Sequence, residues 1–386
     1  MLAQFNVPST LIVGGGASSE AGAQAKRLKA KRAFLVTDTY MVDSGLAGRM
    51  VDCLKGEGIE TTVFADVQPD PTDDNVIQGL DRLKRADCDI VVALGGGSPT
   101  DAAKAIAVLV NNPPPIDQYA GLHNIPNAGI PLIVIPTTSG TGSEVTKVSI
   151  ITDTERDVKM LMLDVNMLPT VALVDYELTM TMPASLTAHV GIDTLVHAVE
   201  AYVSQKANPL TDPIALSCIR LVSENLYTAF KEPDNRAARE AMMLASTQGG
   251  MAFSNSSVCL VHGMSRPIGA LYHVPHGLSN AVLFPAVVEY SISGAQERYA
   301  AISRTMTYAN AHDSDEAACA ALVNGLKELN QKLDVPSLSE CVKVDRETFD
   351  GKVEKMAGDG LASGSPANNP VVPDVQQIVD LYHACW

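Results

Sequence analysis

A carboxylate and an imidazole stand one helical turn apart in an apolar stretch of this chain. The segment GIDTLVHAVEAY, residues 191–202, has the 3.6-residue period of a buried helix, and it places Asp193 and His197 at positions i and i+4 of one face. Both side chains can therefore point at one centre, as ligands of a metal ion do. Taken alone, such a pair is more often part of a packed core, so a metal site requires further ligands.

Further imidazoles occur in the segment VCLVHGMSRPIGALYHVPHGLSN, residues 258–280. It contains His262 in a helical pattern, His273, and His276 directly after Pro275. Histidines with a carboxylate and without a thiolate suit Fe²⁺, Zn²⁺ or a similar divalent ion, and they leave one or two positions for exchangeable ligands. Each histidine taken singly is more often a core or surface residue, so the metal hypothesis depends on the whole group.

Two glycine-rich turns suggest a second kind of chemistry. In VVALGGGSPTDAAKAIA, residues 91–107, a buried strand leads into three glycines and a helix opened by Ser98, Pro99 and Thr100. Free N–H groups and the helix dipole make such a helix start an anion site, suited to a pyrophosphate. The turn TTSGTGSE, residues 137–144, follows another predicted strand. Neither turn matches GxGxxG, so a dinucleotide would be held in a different way. The alternative is a tight turn in which glycine only relieves crowding.

A carboxylate ends the predicted strand AFLVTD, residues 33–38. Asp38 can accept hydrogen bonds from the hydroxyl groups of an adenosine ribose and repel a 2′-phosphate, which favours NAD over NADP. The alternative is that Asp38 serves only as a turn or helix-cap residue.

The elements that must position these groups fall into two regions. Short apolar strands alternate with helices in the first region, which predicts a doubly wound, mostly parallel, Rossmann-like sheet. Almost only helices follow, so we predict an α/β domain over residues 1–181 and an all-α domain over 182–386. The predicted strands are 33–38, 61–66, 89–97, 131–138, two within 148–163, and 170–176; the predicted helices include 47–58, 101–110, 184–204, 211–230, 236–252, 296–310 and 314–332. Residues 359–374 are predicted to form a long irregular loop.

Composition and charge exclude several classes of function. The chain has 386 residues, enough for two domains, and a formal net charge of −16 without any run of basic residues, which argues against nucleic acid and anionic membranes as partners. The start of the chain lacks the pattern of a secretory signal, and the longest apolar runs are too short to span a bilayer. Seven cysteines without close pairing are typical of reduced thiols in a cytoplasmic enzyme.

Several of these segments together resemble the iron-dependent (group III) alcohol dehydrogenases. The resemblance rests on residues 191–202 and 262–280 with GGGSPTDAAKAI and PTTSGTGSEVT, and it covers nearly the whole chain. Within the family the chain is most similar to the lactaldehyde:propanediol oxidoreductase type, down to its ending IVDLYHACW.

The resemblance implies an NAD-binding α/β domain, a helical domain and a metal in the cleft between them. By motif, the metal ligands are Asp193, His197, His262 and His276, with Fe²⁺ as the ion and Zn²⁺ or another divalent ion as alternatives. The resemblance assigns Asp38 to the ribose, Gly96, Gly97 and Ser98 to the pyrophosphate, and Thr137, Thr138, Thr141 and Lys159 to the phosphates and nicotinamide side. Asp101 is a further predicted cofactor-binding residue. Phe253 falls in the substrate pocket, where a role as a core aromatic is equally open.

The implied reaction is hydride transfer between NAD(H) and a small primary alcohol or diol, or its aldehyde, with the ion acting as a Lewis acid on the substrate oxygen. The family also suggests a cytoplasmic homodimer.

The chain departs from many relatives four residues after His262. Where these often have a second histidine thought to help move the substrate proton, HGMSRPIG has Arg266, which stays charged and cannot act as a base. One hypothesis is that His273, beside the ligand His276, relays the proton instead. Another is that Arg266 binds an anionic group, so that the substrate is a small hydroxy acid or its semialdehyde; a structural ion pair of Arg266 is the alternative.

Two other functions remain open. One is a hydroxyacid-oxoacid transhydrogenase that keeps its nucleotide bound. The other is a nucleotide-binding regulator in which the metal only fixes the domains.

Overall fold

The computed structural model describes residues 2–156 and 158–386, which form two compact units. One unit spans Asn6–Met180, and the other combines residues 2–5 with Thr181–Trp386. None of the described helices is long and apolar enough to cross a bilayer.

The described residues of the first unit form nine strands. They are Thr10–Val13 (β1), Arg32–Val36 (β2), Glu60–Phe64 (β3), Ile90–Gly95 (β4), Gly121–Leu122 (β5), Leu132–Pro136 (β6), Val148–Asp153 (β7), Val158–Leu163 (β8) and Val171–Val174 (β9). Six of them form a fully parallel sheet in the order β1-β9-β6-β4-β2-β3. The remaining three form a small sheet in the order β5-β8-β7, with β7 and β8 antiparallel.

The large sheet is covered on both faces, because successive side chains of each strand point to opposite sides. On β2, Ala33 and Leu35 belong to one apolar cluster, whereas Phe34 and Val36 belong to the other. The helices of this unit are Ala21–Arg27 (α1), Thr39–Asp43 (α2), Leu46–Gly56 (α3), Asp73–Arg85 (α4) and Gly97–Leu109 (α5). The predicted doubly wound α/β architecture is therefore confirmed.

The second unit contains no strand among its described residues. Its helices are Ala184–Val203 (α6), Asp212–Lys231 (α7), Arg236–Asn255 (α8), Leu260–Tyr272 (α9), His276–Ser291 (α10), Gln296–Thr305 (α11), Asp315–Lys332 (α12), Leu338–Val342 (α13), Arg346–Ala362 (α14) and Val375–Ala384 (α15). Helix α6 is the centre of this unit, since Ile192, Leu195, Val196 and Val199 are almost completely buried in its apolar core. A helix of this kind holds its polar side chains in fixed positions.

The structure corrects the prediction of an irregular loop over residues 359–374. Helix α14 continues to Ala362, and a short 3₁₀ turn occupies Pro366–Asn368. One glycine that suggested a loop has a packing role, because a β-carbon on Gly360 would lie only 3.1 Å from the carbonyl oxygen of Gly263 in α9. The sequence pattern also failed to indicate β1 and β5, which have only four and two residues.

A second close approach holds α10 against α6, and it provides a test of the packing. A β-carbon on Gly277 would lie 2.7 Å from the carbonyl oxygen of His189, and neither backbone can move aside cheaply. We expect Gly277→Ala to lower the free energy of unfolding by about 1–3 kcal/mol through overpacking. Urea denaturation followed by circular dichroism measures this change.

The matched control is Gly351→Ala in α14, where a β-carbon would meet no atom within 4 Å. Because alanine favours a helix interior over glycine, this variant should gain up to about 1 kcal/mol. Equal effects of the two substitutions would contradict the packing of α10 on α6.

Candidate metal and nucleotide sites

Two predicted metal ligands lie on the buried part of helix α6. Asp193 and His197 are 3% and 5% exposed, and their Oδ1 and Nε2 atoms are 3.9 Å apart. They lie on one face because four residues make slightly more than one turn. The structure thus brings together the pair that the sequence singled out.

The other two predicted ligands come from the starts of α9 and α10. The Nε2 atom of His262 lies 3.7 Å from Asp193 Oδ1, and that of His276 lies 3.9 Å from the same oxygen. Ligand atoms bound at about 2.1 Å to one tetrahedral ion stand about 3.4 Å apart. The Asp193, His262 and His276 ligand atoms all lie within 4.8 Å of one another, so the donors present fit a divalent ion.

The electrostatics of the site also favour a metal ligand role. Burial lowers the pKa of His262 well below its usual range, and its histidine neighbour His197 lowers it further. The imidazole is therefore neutral near pH 7, which is the protonation state that binds a cation.

Polar residues that the sequence reasoning missed surround these ligands. Asn280 donates from Nδ2 to Asp193 Oδ1 over 2.6 Å, and the same nitrogen is 3.1 Å from His276 Nε2. Ser265 Oγ lies 3.2 Å from His276 Nδ1, and Glu200 contacts the far side of His262. For Glu200 a signal existed, since Asp193, His197 and Glu200 follow an i, i+4, i+7 spacing.

The residues predicted to contact substrate or to move a proton lie on α8 and α9. The Phe253 ring stacks on His197 with ring centres 4.4 Å apart, and so forms an apolar wall beside a ligand. Arg266 lies one helical turn beyond His262 in α9. His273 ends α9 as an exposed residue in the left-handed conformation, with φ of 54°.

The first glycine-rich turn lies at the carboxyl end of β4, next to the end of β2. Because β3 lies on one side of β2 and β4 on the other, the strand order reverses here, and ligands of open α/β sheets bind at such a point. Asp38 follows β2, and Gly96 with Gly97 follows β4 and begins α5. Gly95 has φ of +151°, and a β-carbon there would lie 2.6 Å from Pro99, so the turn requires glycine.

The second glycine-rich turn packs directly against the first. A β-carbon on Gly96 would lie 3.4 Å from Thr138, and one on Gly97 would lie 3.2 Å from Thr141. Thr137 is buried at the end of β6, where its N–H donates to the Gly95 carbonyl. The predicted residues of both turns, with Ser98 at the start of α5, thus lie next to one another.

Three predicted nucleotide residues have protein partners. The Asp38 carboxylate accepts a hydrogen bond from Met41 N and caps α2, as the alternative interpretation expected. Asp101 accepts from Ser143 Oγ and Ile150 N, and therefore joins α5 to the second turn and β7. Lys159 lies on β8 and pairs with Asp70 over 2.7 Å.

A buried lysine that the sequence did not indicate, Lys104, holds the second glycine-rich turn in place. Lys104 of α5 is fully buried and donates to Ser143 Oγ, to both oxygens of Thr146 and to the Val148 carbonyl. Burial lowers its pKa to about 8 despite the nearby carboxylate of Asp101. Lys104 and Asp101 thus hold the second turn against α5.

Comparison with known proteins agrees with this arrangement. Family models for "Iron-containing alcohol dehydrogenase" and "Fe-containing alcohol dehydrogenase family, C-terminal" match residues 8–176 and 187–386. The chain is 35% identical to the NAD-dependent methanol dehydrogenase of Bacillus methanolicus, covering 98% of this chain and 99% of that one. It is 38% identical to the 1,3-propanediol dehydrogenase of Klebsiella pneumoniae, covering 99% and 98%.

A solved structure of 1,3-propanediol oxidoreductase superposes with a TM-score of 0.97 at 35% identity, and the match covers all of both chains. The family and enzyme class predicted from the sequence are confirmed by these matches. The chain belongs to the iron-containing alcohol dehydrogenase family, and it is an oxidoreductase of that type.

Proposed function

We propose that this protein interconverts small primary alcohols or diols and their aldehydes with NAD(H), using a divalent ion, Fe²⁺ in the first place. The observation that carries the proposal is the convergence of Asp193, His262 and His276 within 4.8 Å, with His197 beside Asp193. The related methanol and propanediol dehydrogenases support an alcohol as the substrate.

The residues of the helical unit have separate roles in this reaction. Asp193, His197, His262 and His276 would hold the ion, which supplies Lewis acidity toward the alcohol oxygen when it is bound. Phe253 covers one side of His197 with an apolar ring, which suits the carbon chain of a small substrate and excludes water there.

The residues of the α/β unit would bind the nucleotide. The first glycine-rich turn and the start of α5 would bind the pyrophosphate through backbone N–H groups. The Asp38 carboxylate would accept hydrogen bonds from the ribose and repel a 2′-phosphate. We place Thr137, Thr138, Thr141 and Lys159 toward the phosphates and nicotinamide; for Lys159 this requires an exchange of its partner Asp70.

Two further properties are proposed, an oligomeric state and a location. A homodimer follows from the family resemblance alone, and light scattering tests it. A cytoplasmic location is supported by seven cysteines that form no disulfide.

The function is tested by absorbance at 340 nm with NAD, Fe²⁺ or Zn²⁺, and a series of alcohols from methanol to butan-1-ol with both propanediols. We expect turnover of a primary alcohol or diol that depends on the added metal. Asp38→Asn should keep the cap of α2, because asparagine caps helices equally well, but should raise the preference for NADP relative to NAD. No reduction of added NAD, with nucleotide retained through purification, would instead indicate a transhydrogenase.

Removal of one metal ligand tests the site directly. His262→Ala should weaken Zn²⁺ binding more than about 100-fold, since loss of an outer-shell partner already costs 10–100-fold. Competition with a chromophoric chelator measures the affinity. His123→Ala, an exposed histidine of the α/β unit, is the control and should bind like the wild type. Unchanged affinity in His262→Ala would exclude this metal site.

A second candidate substrate class is favoured by the surroundings of Arg266. Burial lowers the pKa of its guanidinium, which nevertheless remains charged near pH 7. Among the described residues it has no hydrogen bond or salt bridge, and the Glu200 carboxylate, whose charge raises its pKa, accepts hydrogen bonds from Cys259 N and Val261 N. An unpaired, partly buried guanidinium beside a metal site is suited to bind an anion. A small hydroxy acid or its semialdehyde supplies that anion.

The two substrate classes are separated by kcat/KM for butan-1-ol and for hydroxy acids of three to six carbons. If Arg266 binds the carboxylate, Arg266→Leu should lower kcat/KM for the preferred hydroxy acid at least about 10-fold, the loss expected for one charge-assisted hydrogen bond. Activity with butan-1-ol should remain. Equal losses for both substrates would contradict the anion site.

His273→Asn belongs in the same series because it tests the proton relay. Asparagine tolerates the left-handed backbone of this position, so only the imidazole is removed. If His273 relays the proton, the pH–rate profile should lose one limb; a profile like that of the wild type would exclude the relay.

A further inference from the structure

Helix α6 carries a third buried polar residue on the face that holds Asp193 and His197. Glu200 lies seven residues after Asp193, which is two helical turns, and it is 3% exposed. Nothing in the proposed reaction uses this carboxylate. A buried carboxylate is costly unless hydrogen bonds satisfy it, so its contacts indicate its role.

Both oxygens of Glu200 accept hydrogen bonds from the start of α9. Oε2 lies 2.6 Å from His262 Nδ1 and accepts from Cys259 N over 2.8 Å, and Oε1 accepts from Val261 N over 2.7 Å. A carboxylate that accepts two backbone N–H bonds is held in orientation before any metal binds. The imidazole therefore meets a fixed acceptor.

This contact decides which nitrogen of His262 carries the proton. When the carboxylate is ionised it is an acceptor only, and a neutral imidazole has one N–H, so the proton then lies on Nδ1. The lone pair of Nε2 then faces Asp193 Oδ1, 3.7 Å away, where the ion would bind. We propose that Glu200 is a positioning residue that fixes the tautomer and ring orientation of His262 for metal binding. The proposal rests on the metal site proposed above.

The same carboxylate also fixes where α9 begins. Cys259 is the N-cap residue of α9 and offers no side-chain cap, so its N–H and that of Val261 need an outside acceptor. Glu200 supplies that acceptor from α6. His262 is thus held at both ends, since its backbone belongs to the capped turn and its ring contacts the capping carboxylate.

The competing explanation is that Glu200 only caps α9. A cap alone would affect the stability of the fold, but it would change neither the protonation of His262 nor the affinity of the folded protein for metal. Glu200→Gln and Glu200→Leu separate the two roles. The glutamine oxygen can replace Oε2 and keep the bonds to His262 and Cys259, while it loses the bond to Val261. Leucine has a similar size and offers no acceptor.

Two measurements on the full-length protein provide the test. In the metal-free protein, ¹⁵N chemical shifts of the His262 ring should report the Nδ1–H form in the wild type and Glu200→Gln, and a mixture of tautomers in Glu200→Leu. In chelator competition with Zn²⁺, we expect affinity to fall about 10-fold in Glu200→Gln and about 100-fold in Glu200→Leu, the range for outer-shell partners.

Ser314→Ala is the matched control. It removes the side-chain cap of α12, which accepts from Ala317 N in the same unit, and should lower the melting temperature without changing Zn²⁺ affinity. The inference is overturned if the Glu200 variants behave like Ser314→Ala, with lower stability, an unchanged tautomer and unchanged affinity. If the wild type itself fails to bind Zn²⁺, the proposed metal site fails instead. Should Glu200→Leu not fold, Glu200→Gln carries the test alone.

Discussion

The structure of the helical unit depends on one constraint, which is that a carboxylate and three imidazoles from three helices lie close together. Helix α6 provides Asp193 and His197, α9 provides His262, and α10 provides His276. Without an ion, these polar side chains lose their water or repel one another when they are buried together. The surrounding packing must therefore hold them in place. The glycine at position 277, which lets α10 approach α6, is part of that packing.

Hydrogen bonds to these side chains complete the constraint. Glu200 holds the outer nitrogen of His262, Ser265 lies beside the outer nitrogen of His276, and Asn280 donates to Asp193. Each contact limits the rotation of a ligand, so that less order has to be created when an ion binds. All three partners lie on the same three helices as these side chains. The site is therefore a property of how α6, α9 and α10 pack.

In the α/β unit, packing fixes the positions of the two glycine-rich turns. Its parallel strands place the carboxyl ends of β2, β4 and β6 side by side, and the glycine-rich turns follow β4 and β6. Buried Lys104 and half-buried Asp101 hold the second turn against α5 through hydrogen bonds. A rigid pair of turns can offer backbone N–H groups to a phosphate at a fixed spacing.

The sequence by itself determined the alternation of strands and helices, the apolar helix that carries Asp193 and His197, and the two glycine-rich turns, because these depend on local periodicity. It also indicated the family, whose motifs are local. Only the tertiary structure decided that residues 359–362 continue a helix, since Gly360 is selected by contact with α9. Likewise, the partners Glu200, Asn280 and Lys104 gain their roles from neighbours far apart in sequence. Pairing across such distances leaves no period in the chain, so only the packed fold could reveal it.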